Sequence, residues 1–256
     1  MSNAGTEPRL PRGKPQGQPP HTPAEAARAA RDEARFGVAF LRAHGRRLLL
    51  VFAGLWLPLW GFGALVEELR EGEGFAFDLP LLRFAHALAG DGLDRAFLLV
   101  SRLGYGDGVV PIDVVLVLAL AWRRRMREGL FAGLALVGSA LMNIAAKHVY
   151  ARARPDLWTS IAPEATYSFP SGHAMGSMTL AAVAVLLAWR TPWRWPAVAA
   201  AAVCVPLVGL SRVYLGVHYP SDILAGWAAA CAWTVACYGL VFSGRRPWQA
   251  GTARAG

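Results

Sequence analysis

Charged residues are scarce in this 256-residue sequence, and cysteine and lysine are scarcer still. Charged side chains make up 17% of the chain and apolar ones 55%, whereas soluble domains have about 25% charged and roughly 45–50% apolar residues. A soluble protein with so few charged residues would expose much apolar surface to water. Lipid is therefore expected to cover part of the surface of this protein. The three cysteines all fall inside apolar stretches, which excludes a disulfide-stapled secreted scaffold. A disordered chain and a coiled coil are excluded as well.

The charge that remains is unbalanced, with a formal net charge of +9. Of the 26 basic residues, 24 are arginines, and the two lysines are Lys14 and Lys147. A basic chain is compatible with nucleic-acid binding, but long uncharged apolar runs favour a membrane instead. The predicted partners are therefore membrane lipid and a lipid substrate rather than nucleic acid, and the oligomeric state stays open.

Long apolar runs predict an all-α bundle of six transmembrane helices. A helix needs about 20 apolar residues to cross a bilayer core that is about 30 Å thick. The predicted spans are 48–66, 109–122 extended back to near Gly104, 129–146, 171–189, 195–210 and 223–242. Residues 74–103 mix apolar and charged residues at helical intervals, which indicates interfacial helices between the first two spans.

The arginines predict the orientation of the bundle. Lysine and arginine accumulate in short cytoplasmic loops. Six spans place every arginine cluster on one side of the membrane, namely 42–47, 123–127, 190–194 and 245–246. Both termini are therefore expected in the cytoplasm of a bacterial cell, with the protein in the inner membrane and the other loops outside.

The two ends of the chain are predicted to lie outside the bundle. Residues 1–23 are rich in proline, glycine and glutamine and are expected to be disordered. Residues 24–47 are expected to form a basic helix, either solvated or lying on anionic lipid. Residues 48–242 form the six-span domain, and 243–256 form a cytoplasmic tail.

Three polar clusters interrupt the spans on the predicted outer side. The first contains Lys147 and Arg154, the second is the segment 170–173 (PSGH), and the third runs from Ser211 to Asp222. Taken alone, each cluster also fits a simpler interpretation. A lysine at a helix end can snorkel to the interface, serine and glycine can start an ordinary helix, and a histidine followed by an aspartate can cap one.

Together the clusters supply the groups that phosphoryl transfer needs. Ser171 is predicted to cap a helix whose amide groups can bind an anion. Asp222 can hold one ring nitrogen of His218 and leave the other free to react. No acid-rich metal cluster is visible, so cationic side chains must stabilise the phosphate and no metal or cofactor is predicted. Arg152 is expected to be solvated.

The segments KHVYARARP (147–155), PSGH (170–173) and SRVYLGVHYPSD (211–222) resemble the three signature motifs of the type 2 phosphatidic acid phosphatase family. That family belongs to a superfamily shared with vanadium haloperoxidases and glucose-6-phosphatase. The resemblance covers roughly residues 48–242 and implies a six-helix membrane phosphatase that needs no metal.

The resemblance also implies a role for each motif residue. His218 would be the nucleophile that forms a phosphohistidine, Asp222 would orient it, and His173 would protonate the leaving group. The phosphate-binding residues would be Lys147, Arg154, Ser171, Gly172 and Arg212. The expected function is hydrolysis of a phospholipid or isoprenoid diphosphate at the outer face of the membrane.

Three other functions remain compatible with the motifs. A lipid phosphotransferase would use the same phosphohistidine with an alcohol as acceptor. A vanadate-dependent haloperoxidase is disfavoured because the chain has six apolar spans and no large soluble body. A non-enzymatic carrier of anionic lipids would not need a histidine arranged for attack. Asp113, near the outer end of the second span, is expected to be a solvated carboxylate.

Overall fold

The computed structural model describes residues 51–72 and 74–242, together with the isolated positions Arg31, Arg35, Val38, Gly45 and Leu49. The predictions for 1–23, for 243–256 and for most of 24–47 therefore lie outside the described residues. The chain divides into two compact units, Met1–Leu49 and Leu50–Gly256, and the second contains every helix considered below.

The described part of the second unit is all helical, as predicted, and contains no strand. A π-helical turn, Phe52–Trp56, leads into the first of eight α-helices. The helices are α1 (Leu57–Glu71), α2 (Asp78–Ala87), α3 (Asp91–Leu103), α4 (Val109–Trp122), α5 (Met126–Tyr150), α6 (Gly172–Ala188), α7 (Arg194–Tyr214) and α8 (Pro220–Phe242).

Local sequence signals explain where several helices begin and end. Pro58 stands at the start of α1, directly after the π-helical turn Phe52–Trp56. Gly72 ends the same helix with a φ of 77°, a left-handed conformation that glycine adopts without strain. Acidic residues occupy the first turns of α2 and α3, where they favourably meet the positive end of the helix dipole.

Within the described residues, three helices are long and apolar enough to cross a membrane. They are α5 with 25 residues, α7 with 21 and α8 with 23. The apolar helices α4 and α6 have 14 and 17 residues and fall short of the usual length. The count of six spans stays a prediction.

One predicted boundary is wrong. The second span was expected to start near Gly104, but residues 104–108 form turns and α4 starts at Val109. Three glycines within five residues disfavour a helix there, and a Cβ atom at Gly108 would lie 2.2 Å from the Leu103 carbonyl oxygen. The predicted interfacial stretch does form two helices, α2 and α3.

Helix α6 occupies the centre of the bundle and packs against α4, α5, α7 and α8. Between α5 and α6 the core contains the buried residues Phe131, Ala135 and Val183. On the outside of α4, by contrast, Val115 and Leu118 are each 63% exposed. Apolar side chains that point outward from an apolar helix are typical of a surface that lipid covers.

Candidate active site

The three polar clusters of the sequence meet at one end of the bundle. Lys147 lies in the last turn of α5, Arg212 in the last turn of α7, and Asp222 in the first turn of α8. Ser171 caps the start of α6, and its backbone N–H donates to the carbonyl oxygen of Asp222 at 3.1 Å. The antiparallel packing of these helices therefore brings together residues that are up to 75 positions apart in the sequence.

His218 sits at the centre of the site, on the short connection between α7 and α8, and is almost fully buried. Its Nδ1 lies 3.3 Å from Oδ2 of Asp222, and its Nε2 lies 3.0 Å from a terminal guanidinium nitrogen of Arg154. Because a guanidinium group only donates hydrogen bonds, Nε2 must carry the lone pair. The proton then resides on Nδ1, facing Asp222.

The surroundings keep the His218 ring neutral. Burial is the main cause, and it lowers the pKa of His218 from 6.5 to about 4. Asp222 partly opposes this shift in the pKa, while Arg154 and Arg212 reinforce it. At neutral pH Nε2 therefore carries a lone pair, which can attack an electrophile once a bound substrate displaces the hydrogen bond from Arg154.

The Asp222 carboxylate is fully buried and well satisfied by hydrogen bonds. Its Oδ2 accepts a hydrogen bond from the hydroxyl of Ser168 and one of 2.9 Å from the backbone N–H of Tyr219. The Ser168 hydroxyl also lies 3.4 Å from Nδ1 of His218. These contacts fix the orientation of the carboxylate, and through it the orientation of the ring.

Arg154 and Arg212 converge on a residue that the motifs do not include, Glu164. Its Oε2 accepts from Arg154 at 2.6 Å and its Oε1 accepts from Arg212. Arg212 is almost fully buried, and its second terminal nitrogen donates to the Ser101 hydroxyl of α3. The carboxylate thus occupies the space between two guanidinium groups, which is where a tetrahedral anion would bind.

Lys147 points toward the same arginine cluster. Its Nζ donates to the backbone oxygen of Tyr167, and to the Thr166 hydroxyl at 3.3 Å. Arg154 donates to that hydroxyl as well, at 3.0 Å. Since both cations share one partner, Lys147 does more than snorkel to the membrane surface.

The PSGH segment forms the start of α6, as predicted. The Ser171 hydroxyl accepts from the backbone N–H of Ala174 at 3.4 Å, which is a helix N-cap. At Gly172 a Cβ atom would lie 3.1 Å from the Asn143 side-chain oxygen, so the backbone approaches α5 closely there. His173 interacts electrostatically with Arg212, Glu164 and His218, which places it on the same side of the site.

Two predictions about neighbouring residues are wrong. Arg152 is not simply solvated, because it pairs with Asp222 at 2.6 Å and with Asp78 at 2.9 Å. Asp113 is not a freely solvated carboxylate, because its Oδ1 is buried and has no hydrogen-bond partner among the described residues. Helix α4 starts only four residues before Asp113, and this turn faces a small cavity lined by Ser139 and Thr179.

Sequence reasoning missed several residues that contact the site. Among them are the charged residues Asp78, Arg152 and Glu164 and the hydroxyl residue Ser168. Residues 151–171 form the long connection between α5 and α6, where no periodic pattern indicates which side chains turn inward. The available signals were the position of Arg152 inside the first motif segment and the position of Glu164 between the first and second motifs.

Comparisons with known proteins identify the family of the chain. The family model of the PAP2 superfamily matches residues 128–246. Decaprenylphosphoryl-5-phosphoribose phosphatase from Mycolicibacterium smegmatis is 36% identical over 154 residues, which cover 58% of this chain and 80% of the relative. Phosphatidylglycerophosphatase B from Bacillus subtilis is 31% identical over 134 residues, which cover 50% of this chain. The alignment covers 66% of that relative, so the chain spans just under two thirds of its length.

A solved structure shares the fold. The crystal structure of a transmembrane PAP2 type phosphatidylglycerolphosphate phosphatase from Bacillus subtilis matches with a TM-score of 0.65 at 25% identity. The match covers 74% of this chain and 98% of that one. Together with the apolar helices, this likeness identifies an integral membrane protein with an all-α fold.

Proposed function

Because the chain belongs to the PAP2 superfamily, we propose that it is a membrane lipid phosphatase that works through a phosphohistidine on His218. The observation that carries this proposal is the pair of contacts made by the two ring nitrogens of His218. Its Nε2 faces Arg154 at 3.0 Å with a lone pair, and its Nδ1 is held by the Asp222 carboxylate at 3.3 Å. A neutral imidazole held in this way is an activated nucleophile.

In the first step, Nε2 of His218 attacks the phosphorus atom and the bond from phosphorus to the lipid oxygen breaks. His173 then gives a proton to the departing oxygen, which leaves as an alcohol or as a lipid phosphate. Burial lowers the pKa of His173 from 6.5 to about 3, so this role requires the negative charge of the bound phosphate to raise that pKa until the ring is protonated. Asp222 stabilises the positive charge that forms on the His218 ring. Arg154, Arg212 and Lys147 bind the phosphoryl oxygens, whose negative charge must be neutralised in the transition state.

In the second step, water attacks the phosphohistidine. The bond from phosphorus to Nε2 breaks, inorganic phosphate leaves, and His218 regains its lone pair. His173, which lost its proton in the first step, accepts the proton of the attacking water. The Ser171 cap and the backbone N–H groups at the start of α6 support phosphate binding, since a helix N-terminus attracts anions.

An apolar groove beside the PSGH segment supports a lipid as the substrate. The groove has a volume of about 240 Å³ and lies between α1, α5 and α8. It is lined by Leu59, Phe62, Met142 and Ala229, and it reaches Pro170, the residue before Ser171. A hydrocarbon chain in this groove would enter from the bilayer and place its phosphate at the site. Phospholipids and isoprenoid phosphates both fit this description.

The expected setting is the outer face of a bacterial inner membrane, with both termini in the cytoplasm. The support for this orientation is the position of the arginines. Arg123–Arg125 precede α5 and Arg190 follows α6, and these are the ends of the two helices opposite the site. Short loops rich in arginine are typical of the cytoplasmic side.

Phosphate release from purified protein in detergent tests the proposal. The substrates are dioleoyl phosphatidic acid, phosphatidylglycerophosphate and undecaprenyl diphosphate, each assayed with a chelator present. We expect turnover of at least one substrate in the chelator, because the three cationic side chains supply the charge stabilisation. Protein quenched in alkali after reaction with labelled substrate should carry an acid-labile phosphoryl group.

His218→Asn should abolish both turnover and labelling. The matched control is His148→Asn, since His148 lies in the last turn of α5 with its ring toward Tyr167 and should be dispensable. Full activity of His218→Asn would overturn the phosphohistidine mechanism. Turnover that magnesium restores after loss in chelator would overturn the metal-free mechanism.

A further inference from the structure

Arg152 and His218 contact opposite oxygens of the same carboxylate. A terminal nitrogen of Arg152 donates to Oδ1 of Asp222 at 2.6 Å, while His218 and Ser168 contact Oδ2. The Arg152 side chain is only 11% exposed, and its guanidinium group lies 4.0 Å from the centre of the Tyr219 ring. Arg152 is therefore packed against the Asp222 carboxylate through the oxygen that does not contact His218.

The second terminal nitrogen of Arg152 is held by a carboxylate from outside the motif segments. Asp78, the first residue of α2, accepts this hydrogen bond at 2.9 Å. Asp78 is buried and also accepts from the backbone N–H of Ser221 at 2.9 Å and from the Ser221 hydroxyl at 2.6 Å. Ser221 directly precedes Asp222, so Asp78 anchors α2 to the first turn of α8.

These contacts form a buried chain of four groups, which are His218, Asp222, Arg152 and Asp78. We propose that Arg152 and Asp78 are positioning residues of the phosphatase, which fix the Asp222 carboxylate and balance its charge while it supports His218. This inference rests on the proposed function and extends it to α2, outside the three motifs. Neither residue is proposed to touch the substrate.

The charges in this chain explain why both residues are needed. Phosphorylation of Nε2 places a positive charge on the His218 ring, and Asp222 stabilises that charge. Arg152 is in direct contact with Asp222, and alone it would offset much of the carboxylate's negative charge in a buried site. Asp78 neutralises Arg152, so the Asp222 charge remains effective toward the ring.

A purely structural role for Asp78 would be the docking of α2 onto the bundle. The neighbouring helix α3 offers a matched control for docking, because Asp94 in its first turn accepts from the Tyr214 hydroxyl at 2.6 Å. Both aspartates join a connecting helix to the bundle. Asp78 differs from Asp94 because it also contacts Arg152, which in turn contacts Asp222.

The experiment compares Asp78→Asn, Asp94→Asn and Arg152→Lys with wild-type protein in detergent, using whichever of phosphatidic acid, phosphatidylglycerophosphate and undecaprenyl diphosphate the wild-type protein hydrolyses. Asp78→Asn should lower kcat by about tenfold or more and change KM by less than about threefold, since it weakens only the transition state. Asp94→Asn should retain kcat within about threefold. Arg152→Lys keeps the charge but replaces two separate terminal nitrogens with a single ammonium on a shorter side chain, so it cannot reproduce both contacts in the same geometry, and its kcat should also fall about tenfold.

Each possible outcome either supports or contradicts the positioning role of Asp78 and Arg152. Equal losses in Asp78→Asn and Asp94→Asn, or a rise in KM at constant kcat, would assign Asp78 to docking or substrate binding instead. If Asp78→Asn fails to fold, Arg152→Lys decides, and unchanged kcat there overturns the proposal. A wild-type protein that releases phosphate from none of phosphatidic acid, phosphatidylglycerophosphate and undecaprenyl diphosphate would overturn the proposed function itself, which separates the two failures.

Discussion

Glu164 takes part in two ion pairs, and both partners are arginines that the motifs assign to phosphate binding. Burial raises the pKa of the Glu164 carboxyl, but the positive charges of Arg212 and Arg154 outweigh that effect and hold the pKa below its usual value of 4.5. Glu164 is therefore ionised at neutral pH. A phosphate that binds the same two guanidinium groups must compete with this carboxylate.

Glu164→Gln should therefore strengthen anion binding. The variant retains the shape of the side chain but no longer neutralises the two arginines. We expect orthovanadate to inhibit it about tenfold more tightly, a gain of about 1.4 kcal/mol. The inhibition constant, measured by phosphate release in detergent, checks this expectation.

A second Glu–Arg pair provides the control for that experiment. Glu128 pairs with Arg125 at 3.2 Å at the start of α5, which is the end of the helix opposite the site. Glu128→Gln should leave the inhibition constant unchanged. Weaker inhibition of Glu164→Gln than of wild type would show instead that Glu164 organises the arginines for phosphate binding.

Among the helices, the crossing of α6 and α8 holds the PSGH segment beside His218 and Asp222. Gly226 on α8 makes this close approach possible. A Cβ atom there would lie 2.9 Å from the Ser171 backbone oxygen and 3.2 Å from the backbone nitrogen of Met175. These are backbone atoms of α6, so they cannot move aside as a flexible side chain would.

Gly226→Ala should separate the two helices and destabilise the protein by about 1–3 kcal/mol, the usual cost of overpacking. Thermal unfolding in detergent should show a lower Tm. Gly239→Ala, on the same helix, is the matched control, because a Cβ atom there meets no described atom within 4 Å. Alanine should preserve or slightly raise the Tm at that position. Equal Tm values for the two variants would contradict the close-packing argument.

For the whole molecule, the orientation in the membrane can be tested by cysteine labelling. Asp156 is exposed on the same connection as Glu164, and Arg190 is exposed at the far end of α6. The three native cysteines are first replaced, and Asp156→Cys or Arg190→Cys is then introduced. In intact spheroplasts an impermeant maleimide should label the Asp156→Cys variant and spare the Arg190→Cys variant. The reverse pattern would move the site to the cytoplasmic face.

The positions of the long helices follow from the sequence because their signals are local. An uncharged apolar run predicts a helix wherever it occurs, and single residues mark its ends. Ser171 predicted the start of α6, and α8 begins at Pro220, a position at the start of a helix that proline favours. The predicted start of α4 was about five residues too early, because hydropathy does not register that Gly104, Gly106 and Gly108 disfavour a helix.

The sequence by itself determined the all-α membrane fold, the family and the three segments that form the site, since each depends on residues close together in the chain. The tertiary structure decided which residues surround the reacting histidine. Asp78 and Asp222 share Arg152 although they lie 144 positions apart, and Glu164 reaches two arginines from an irregular connection. Ion pairs and hydrogen bonds depend on distances in space, and for these residues only helix packing sets those distances.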